Sequence, residues 1–217
     1  MDAATLKRVA LLTKDPRFFL KYACYTVDPY DQNTPVKAFP YDRPYIRALT
    51  NAWLDHPFNI IPKSRGMVIS WTMCALHLHM AFTKPHQQIF MLAKSFDFAE
   101  SALKANMINI YRNIPEKVWP QALRPAMVTK EGLISFPEIG SYIKVVPSGV
   151  DVLRGFSATA IYLDEFEFLA DAEDTFAAAR PTARSGGRLT LVSTYAKTFS
   201  EETDKRLFLK LIDDEIE

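Results

Sequence analysis

Three short segments carry side chains whose types and spacing suit phosphate chemistry. The first, IIPKSRGMVISW at residues 60–71, places Lys63 and Arg65 in a polar loop with Ser64, Gly66, Met67 and Val68, and Ile69 and Ser70 follow at the head of an apolar helical run. A basic loop entering a helix can hold an anion, because the backbone N–H groups and the helix dipole point at it. The standard Gly-x-x-x-x-Gly-Lys-Ser/Thr loop is absent, since none of the seven glycines precedes a lysine. Taken alone, the segment reads more simply as a basic turn capped by a serine. The second, AIYLDEFEF at residues 160–168, runs through Ile161 and Leu163 into two adjacent carboxylates, Asp164 and Glu165. In nucleotide hydrolases an Asp here helps hold the Mg2+ shell, while the following Glu polarises the attacking water. The plainer alternative is that the two acids start a helix and complement its dipole. The third, LTLVSTY at residues 189–195, ends in Ser193 and Thr194, two hydroxyls able to sense a γ-phosphate.

The elements that must position these groups follow from the hydrophobic pattern. Near-helical spacing of Leu6, Val9, Ala10, Thr13, Phe18, Phe19, Tyr22 and Tyr25 predicts a helical arm, broken at Asp15-Pro16, where proline can open the next helix. Residues 28–44 contain four prolines and read as a surface connector, followed by a helix from Pro44 to Leu54. Apolar strands are expected at Phe58–Ile61, Gln88–Ala93, Ala158–Leu163 and Leu189–Val192, and a hairpin at Leu133–Phe136 and Tyr142–Val146. Helices are expected over 69–83, 96–111, from the Asp-Glu pair to Arg180, and in the acidic tail from Ser200. Strands alternating with helices predict an α/β fold, a mainly parallel sheet covered on both faces. A basic loop after the first strand, Asp-Glu after a later one and Ser-Thr after the next is the order of an additional-strand (ASCE) P-loop ATPase.

Composition limits the alternatives. The 217 residues suit one decorated domain better than two independent cores. Hydrophobic residues at 48% and charged residues at 24% exclude a mainly disordered chain. With 26 basic against 25 acidic residues the net charge is +1, so bulk charge does not hold nucleic acid; contact with a polyanion requires local patches or several subunits. Cys24 and Cys74 are too few for a disulfide scaffold or a zinc site and suit a reducing cytosol. The first residues lack the apolar core of a signal peptide. The longest uncharged stretch, Gly66 to Thr83, includes two histidines and reads as a buried helix, with no membrane partner expected.

The segment PKSRGMVISW resembles the divergent phosphate loop of the large terminase subunit of tailed bacteriophages, the motor that packages DNA into procapsids. Lys63, Ser64, Arg65, Met67, Ser70 and Trp71 fall in register with that family's loop, and Val68 stands where many members carry glycine. Arg154-Gly155 ahead of a strand ending in Asp164-Glu165, then the LVST run at residues 191–194, extend the resemblance over residues 39–196. The resemblance implies ATP and Mg2+ as cofactors. Lys63 or Arg65 would neutralise phosphate charge, Ser70 and Asp164 would hold the metal, and Glu165 would be the catalytic base. Ser193 and Thr194 would couple phosphate loss to movement, and residues 63–70 would wrap the nucleotide. Arg154 fits an arginine finger acting on a neighbour's ATP, with a structural salt bridge as the alternative. Adenine recognition would fall near Phe39–Tyr45, with Tyr41, Arg43 and Tyr45 as stacking or hydrogen-bonding groups. Implied partners are double-stranded DNA, the portal protein, the small terminase subunit and copies of the chain in a ring on the procapsid, though not necessarily in solution. The implied location is the host cytoplasm, outside the mature particle. The domains read as an arm and connector (1–38), the ATPase core (39–199), and an acidic helix (200–217) opening a linker toward a nuclease domain; no DNA cleavage is expected of this chain.

Other basic and histidine residues invite weaker readings. His77 and His79 lie on opposite sides of a helix, so a core role fits better than a shared metal. Lys94, Lys104 and Arg112 could form a DNA-facing patch or a solvated face. Arg180, Arg184 and Arg188 flank a Gly-rich turn and are expected near the ligand edge of the sheet, touching DNA or a neighbour's nucleotide. Two alternatives to a packaging ATPase stay open: a helicase-like translocase, and a non-hydrolysing binding module motivated by Val68 and the glycine-poor loop.

Overall fold

The computed structural model describes residues 2–28, 30–147, 157–169, 171–194 and 207–214. Helices α1 (Ala3–Lys14) and α2 (Pro16–Tyr22) form the arm, and Asp15 caps the second by accepting from Arg17 N–H. The chain then forms a two-stranded antiparallel ribbon, β1 (Tyr25–Val27) with β2 (Val36–Ala38). Residues 25–27, expected within the helical arm, and 36–38, expected within the connector, are instead paired strands; strands of three residues carry too little periodicity to be seen. Helix α3 (Pro44–Asp55), strand β3 (Phe58–Lys63), helix α4 (Ile69–Thr83) and strand β4 (Gln88–Leu92) follow. The next helical segment comprises α5 (Phe96–Phe98), a π-helical stretch (Ala99–Lys104) and α6 (Ala105–Arg112). Strands β5 (Val128–Lys130), β6 (Leu133–Phe136), β7 (Ser141–Val145) and β8 (Ala160–Asp164) lead to helix α7 (Ala172–Arg184), strand β9 (Arg188–Thr194) and helix α8 (Leu207–Asp214).

The central sheet has seven strands in the order β3-β9-β8-β4-β7-β6-β5. The first five are parallel, and β6 and β5 complete an antiparallel end. Strand β9 lies between β3 and β8, so the strand that precedes the basic loop and the strand that ends in Asp-Glu are separated by one additional strand. This is the ASCE arrangement. It brings the carboxyl ends of β3, β9 and β8 side by side, the edge where open parallel sheets bind ligands.

Alternation along the strands divides the core in two. Ile61, Ile89, Met91, Tyr162 and Val192 pack toward α4 and α6, whereas Phe90, Leu92, Ile161, Leu163 and Leu191 pack toward α7 and α8. Helix α4 is covered on nearly every side, which explains the uncharged run read in the sequence. No helix among the described residues is long and apolar enough to cross a membrane.

Both histidines of α4 are buried and structural. His77 Nδ1–H donates to Met73 O at 2.8 Å, and the ring stacks on Tyr162 and meets Trp53 edge-on. His79 Nε2–H donates to Leu12 O at 2.7 Å, satisfying a carbonyl in the last turn of α1 and tying the arm to the core. Among the described residues no group of three or more His, Cys, Asp or Glu gathers as a metal cluster. Burial lowers both imidazoles from the usual 6.5 to about 4. The rings therefore stay neutral in the fold and take up protons on unfolding. The stability this contributes is complete above pH 6.5 and is lost as the pH falls from 6.5 toward 4. Across that window each ring should add up to about 1.4 kcal/mol per pH unit to the slope of unfolding free energy. Urea titrations of wild type and His77→Phe at several pH values check this: the variant should show the shallower slope, whatever its absolute stability.

Candidate functional site

Strand period and helix placement build the site. Lys63 shares a sheet face with Ile61, Asp164 with Tyr162, and Thr194 with Val192, so all three side chains emerge on the α4 side. Ser70, in the first turn of α4, faces them. Lys63 Nζ donates to Asp164 Oδ1 at 2.7 Å and to Ser70 Oγ at 2.9 Å, and lies 3.2 Å from Glu165 Oε1. The Ser70 hydroxyl donates to Asp164 Oδ2 at 2.9 Å. The Asp164 side chain is 1% exposed and that of Lys63 9%, so the pair depends on these contacts for its charge balance.

The second acid reaches the same place by a backbone device. Glu165 has φ 52°, a left-handed conformation that is uncommon outside glycine, and its N–H donates to Asp164 Oδ1 at 3.1 Å. The chain turns into a short 3-10 segment, Phe166–Phe168, before α7 begins, instead of running from the acids straight into the helix expected from sequence. The Glu165 carboxylate accepts from Thr194 Oγ1–H at 3.1 and 3.2 Å. Ser193 points to the other sheet face, fully buried, where its Oγ accepts from Glu167 N–H at 3.1 Å. The two hydroxyls paired in the sequence reading are therefore separated: Thr194 belongs to the cluster and Ser193 anchors the turn behind it.

The loop at residues 64–68 borders a cleft of about 760 Å3, lined also by Lys63, Ser70, Glu165 and Thr194. Gly66 has φ 78° and Val68 has φ 60°. Val68 thus holds the left-handed backbone that glycine adopts without cost. No side chain caps α4, which leaves its first-turn N–H dipoles open to an anion. Arg65 and Ser64 are exposed on the loop. The opposite wall comes from the β1–β2 ribbon, through Val27, Asp28, Lys37 and Ala38, with Pro40 and Arg43. Sequence reading missed these ribbon residues. Their one signal is the turn chemistry of Asp28 and Asp31, whose carboxylates pair with Lys37 at 2.8 and 3.1 Å. Tyr45 Oη–H donates to Met67 O at 3.2 Å and accepts from Arg43 Nη1–H at 3.0 Å, so Tyr45 braces the loop. Tyr41 is buried and unsuited to stacking on a ligand.

Two other expectations change. The Arg184–Arg188 turn lies at the start of β9, the edge opposite the cluster. Arg188 there stacks on Trp53, 4.1 Å from the ring centroid, and donates to the Trp53 and His56 carbonyls at the end of α3. Lys104 is buried and pairs with Glu100 and Lys130 O, so it is no part of an exposed patch. Arg154 and most of the acidic tail lie outside the described residues. A cavity of about 870 Å3 sits at the antiparallel end of the sheet beside Phe96 and Tyr142. The smaller cleft is the candidate site because it holds the carboxylates and hydroxyls that the strand ends bring together.

No protein-family model and no curated protein matches the sequence. Solved structures do. The HK97 bacteriophage large terminase superposes with a TM-score of 0.69 and 18% identity, over 94% of this chain. This chain has the fold of a phage large terminase ATPase domain. It spans 41% of the HK97 protein's length. A mutant of the Thermus phage P74-26 large terminase ATPase domain superposes with a TM-score of 0.52 and 14% identity, over 74% of this chain and 72% of that one. Within the terminase ATPase fold, the all-oxygen set of Ser70, Asp164 and Glu165 suits a hard divalent cation such as Mg2+.

Val68 gives a direct test of the loop's backbone. A β-branched residue at positive φ costs on the order of 1–3 kcal/mol, while its partly buried methyls contribute packing. Val68→Gly removes both and should stay within about 1 kcal/mol of wild type. Val68→Ala keeps much of the strain, loses the methyls and should be the less stable of the two. Urea melts of the two variants rank them.

Proposed function

We propose that this chain is the ATPase domain of a phage large terminase, hydrolysing ATP to drive double-stranded DNA into procapsids. The observation that carries the reading is the cluster of Lys63, Ser70, Asp164, Glu165 and Thr194 at the carboxyl edge of an ASCE sheet, beside a cleft bounded by a basic loop.

In this reading the first turn of α4 and the loop bind the phosphates, with Lys63 from the strand end and Arg65 from the exposed loop as cations. Ser70 and Asp164 would hold Mg2+, which would supply positive charge to stabilise bound phosphate. Glu165 orients a water and accepts its proton. Its left-handed backbone turns the carboxylate toward Thr194 and Lys63, which fixes the base for in-line attack. Thr194 then reports phosphate loss to β9 through the Glu165 contact. Arg154 would act in trans on a neighbour's ATP in a ring, and the portal, the small subunit and DNA would be partners of that ring. The left-handed Val68 weakens the non-hydrolysing alternative, because the loop keeps its turn without a glycine there.

Glu165→Gln is expected to lower ATP turnover by about 10^2- to 10^4-fold, the usual worth of a general base. ATP binding, measured by calorimetry with Mg2+, should change little. Unchanged turnover would refute the assignment of Glu165. Absence of ATP binding by wild type at millimolar nucleotide would refute the ATPase reading as a whole. Thr194→Val should slow turnover as well, whereas Ser193→Ala should act through stability, seen as a lowered melting temperature.

A further inference from the structure

We propose that Lys63 closes the acidic cradle to divalent cations until nucleotide phosphates draw it away, so that metal enters this site only together with a nucleotide. The inference rests on the reading above for the identity of the anion, and on the geometry for the exclusion.

The ammonium of Lys63 sits among the oxygens that a cation would need. Asp164 Oδ1, Ser70 Oγ and Glu165 Oε1 lie 2.7, 2.9 and 3.2 Å from Nζ. Three donors meet three oxygens, which saturates the ammonium. The Ser70 hydroxyl proton is committed to Asp164 Oδ2 at 2.9 Å, so this oxygen is oriented inward as well. Mg2+ takes its oxygens at about 2.0–2.1 Å and cannot share that space with an ammonium already in contact. Two cations so close, in a place sheltered from water, also repel each other.

Departure of Lys63 alone is unfavourable, because it strands a carboxylate that is 1% exposed. Arrival of metal and phosphate together removes both objections. The divalent ion takes over the carboxylates, and the lysine, on its flexible four-carbon stem, moves to phosphate oxygen in the adjoining cleft. Lys63, part of the cleft wall, has that destination beside it. Metal and nucleotide are therefore positively coupled, and the coupling is reciprocal. The chain in this state protects its buried acids with an internal cation and selects for the metal–nucleotide complex over either component.

Mn2+ is the probe, counted by the paramagnetic resonance signal of the free aqueous ion, with no nucleotide present. Wild type should leave Mn2+ free up to millimolar concentration. Lys63→Met should bind one Mn2+ per chain. Because a tethered competitor acts at an effective concentration on the order of millimolar or more, its removal should tighten Mn2+ by at least about tenfold. Adding Asp164→Asn to Lys63→Met should abolish the site. The melting temperature of Lys63→Met should rise with Mn2+ or Mg2+, while that of wild type stays fixed. Equal Mn2+ affinity in wild type and Lys63→Met overturns the proposal. Should Lys63→Met not yield folded protein, wild type still decides: one Mn2+ bound at micromolar concentration and lost in Asp164→Asn overturns it, and no binding supports it. ATP turnover enters none of these measurements, so a chain that excludes metal yet does not hydrolyse ATP would count against the function and not against this inference.

Discussion

A carboxylate almost sealed from water sets the terms for the rest of this structure. Asp164 ends the third strand from the sheet edge with its side chain 1% exposed, and such a group keeps its charge only if partners replace the lost hydration. The fold supplies them from two other elements, the end of β3 and the first turn of α4. Removing one partner of a buried pair typically costs about 3–5 kcal/mol, a large share of the 5–15 kcal/mol by which domains are stable. The contacts of the candidate site therefore also fix β3, β8 and α4 relative to one another. The candidate site and the stability of the fold share the same few atoms.

Strand parity decides which groups join them. Because side chains alternate, Lys63, Asp164 and Thr194 fall on one face, while Ser193 and Leu163 fall on the other. Glu165 would also fall on the far face if β8 continued. Its left-handed backbone, φ 52°, breaks the alternation and returns the second acid to the cluster. The strain of that conformation is held in place by the Glu165 N–H bond to Asp164 on one side and by the Phe166–Phe168 turn, bonded to Ser193, on the other. Ser193, on the far face of the sheet, thus helps to position Glu165 in the cluster.

Much of this was legible in the sequence, and the reasons are physical. The apolar strands of the sheet and the all-apolar α4 announce themselves through composition, and their order around the basic loop and Asp-Glu pair implies which strand ends meet. Lys63, Ser70, Asp164 and Glu165 could be named because each adjoins the end of a strong periodic signal. What stayed hidden depends on tertiary geometry. Ser193 and Thr194 look equivalent until the register of β9 assigns their faces. Arg188 looks like a ligand-edge cation until the strand direction puts it at the opposite end, against Trp53. The β1–β2 ribbon escaped notice because three-residue strands have no readable period, and its role as a cleft wall follows only from where α3 and the loop place it.

The 26 basic residues overstate the cationic surface at hand, because several of them are already engaged within the chain. Lys63 faces Asp164 and Glu165, Lys104 faces Glu100, Lys37 faces Asp28 and Asp31, and Arg188 is bound to carbonyls. Under the proposed packaging role this would be an advantage, since a permanently basic surface would bind a polyanion too tightly to move along it. Under the proposed exchange, Lys63, held on a strand end in the sheet core, would change partners with ligand state. A charge switch at that point alters the load on β3, β8 and α4 together, which are the elements that its own ion pair joins. If phosphate binding draws Lys63 away as proposed, the ion pair that joins β3, β8 and α4 would be the path by which that binding is felt through the sheet.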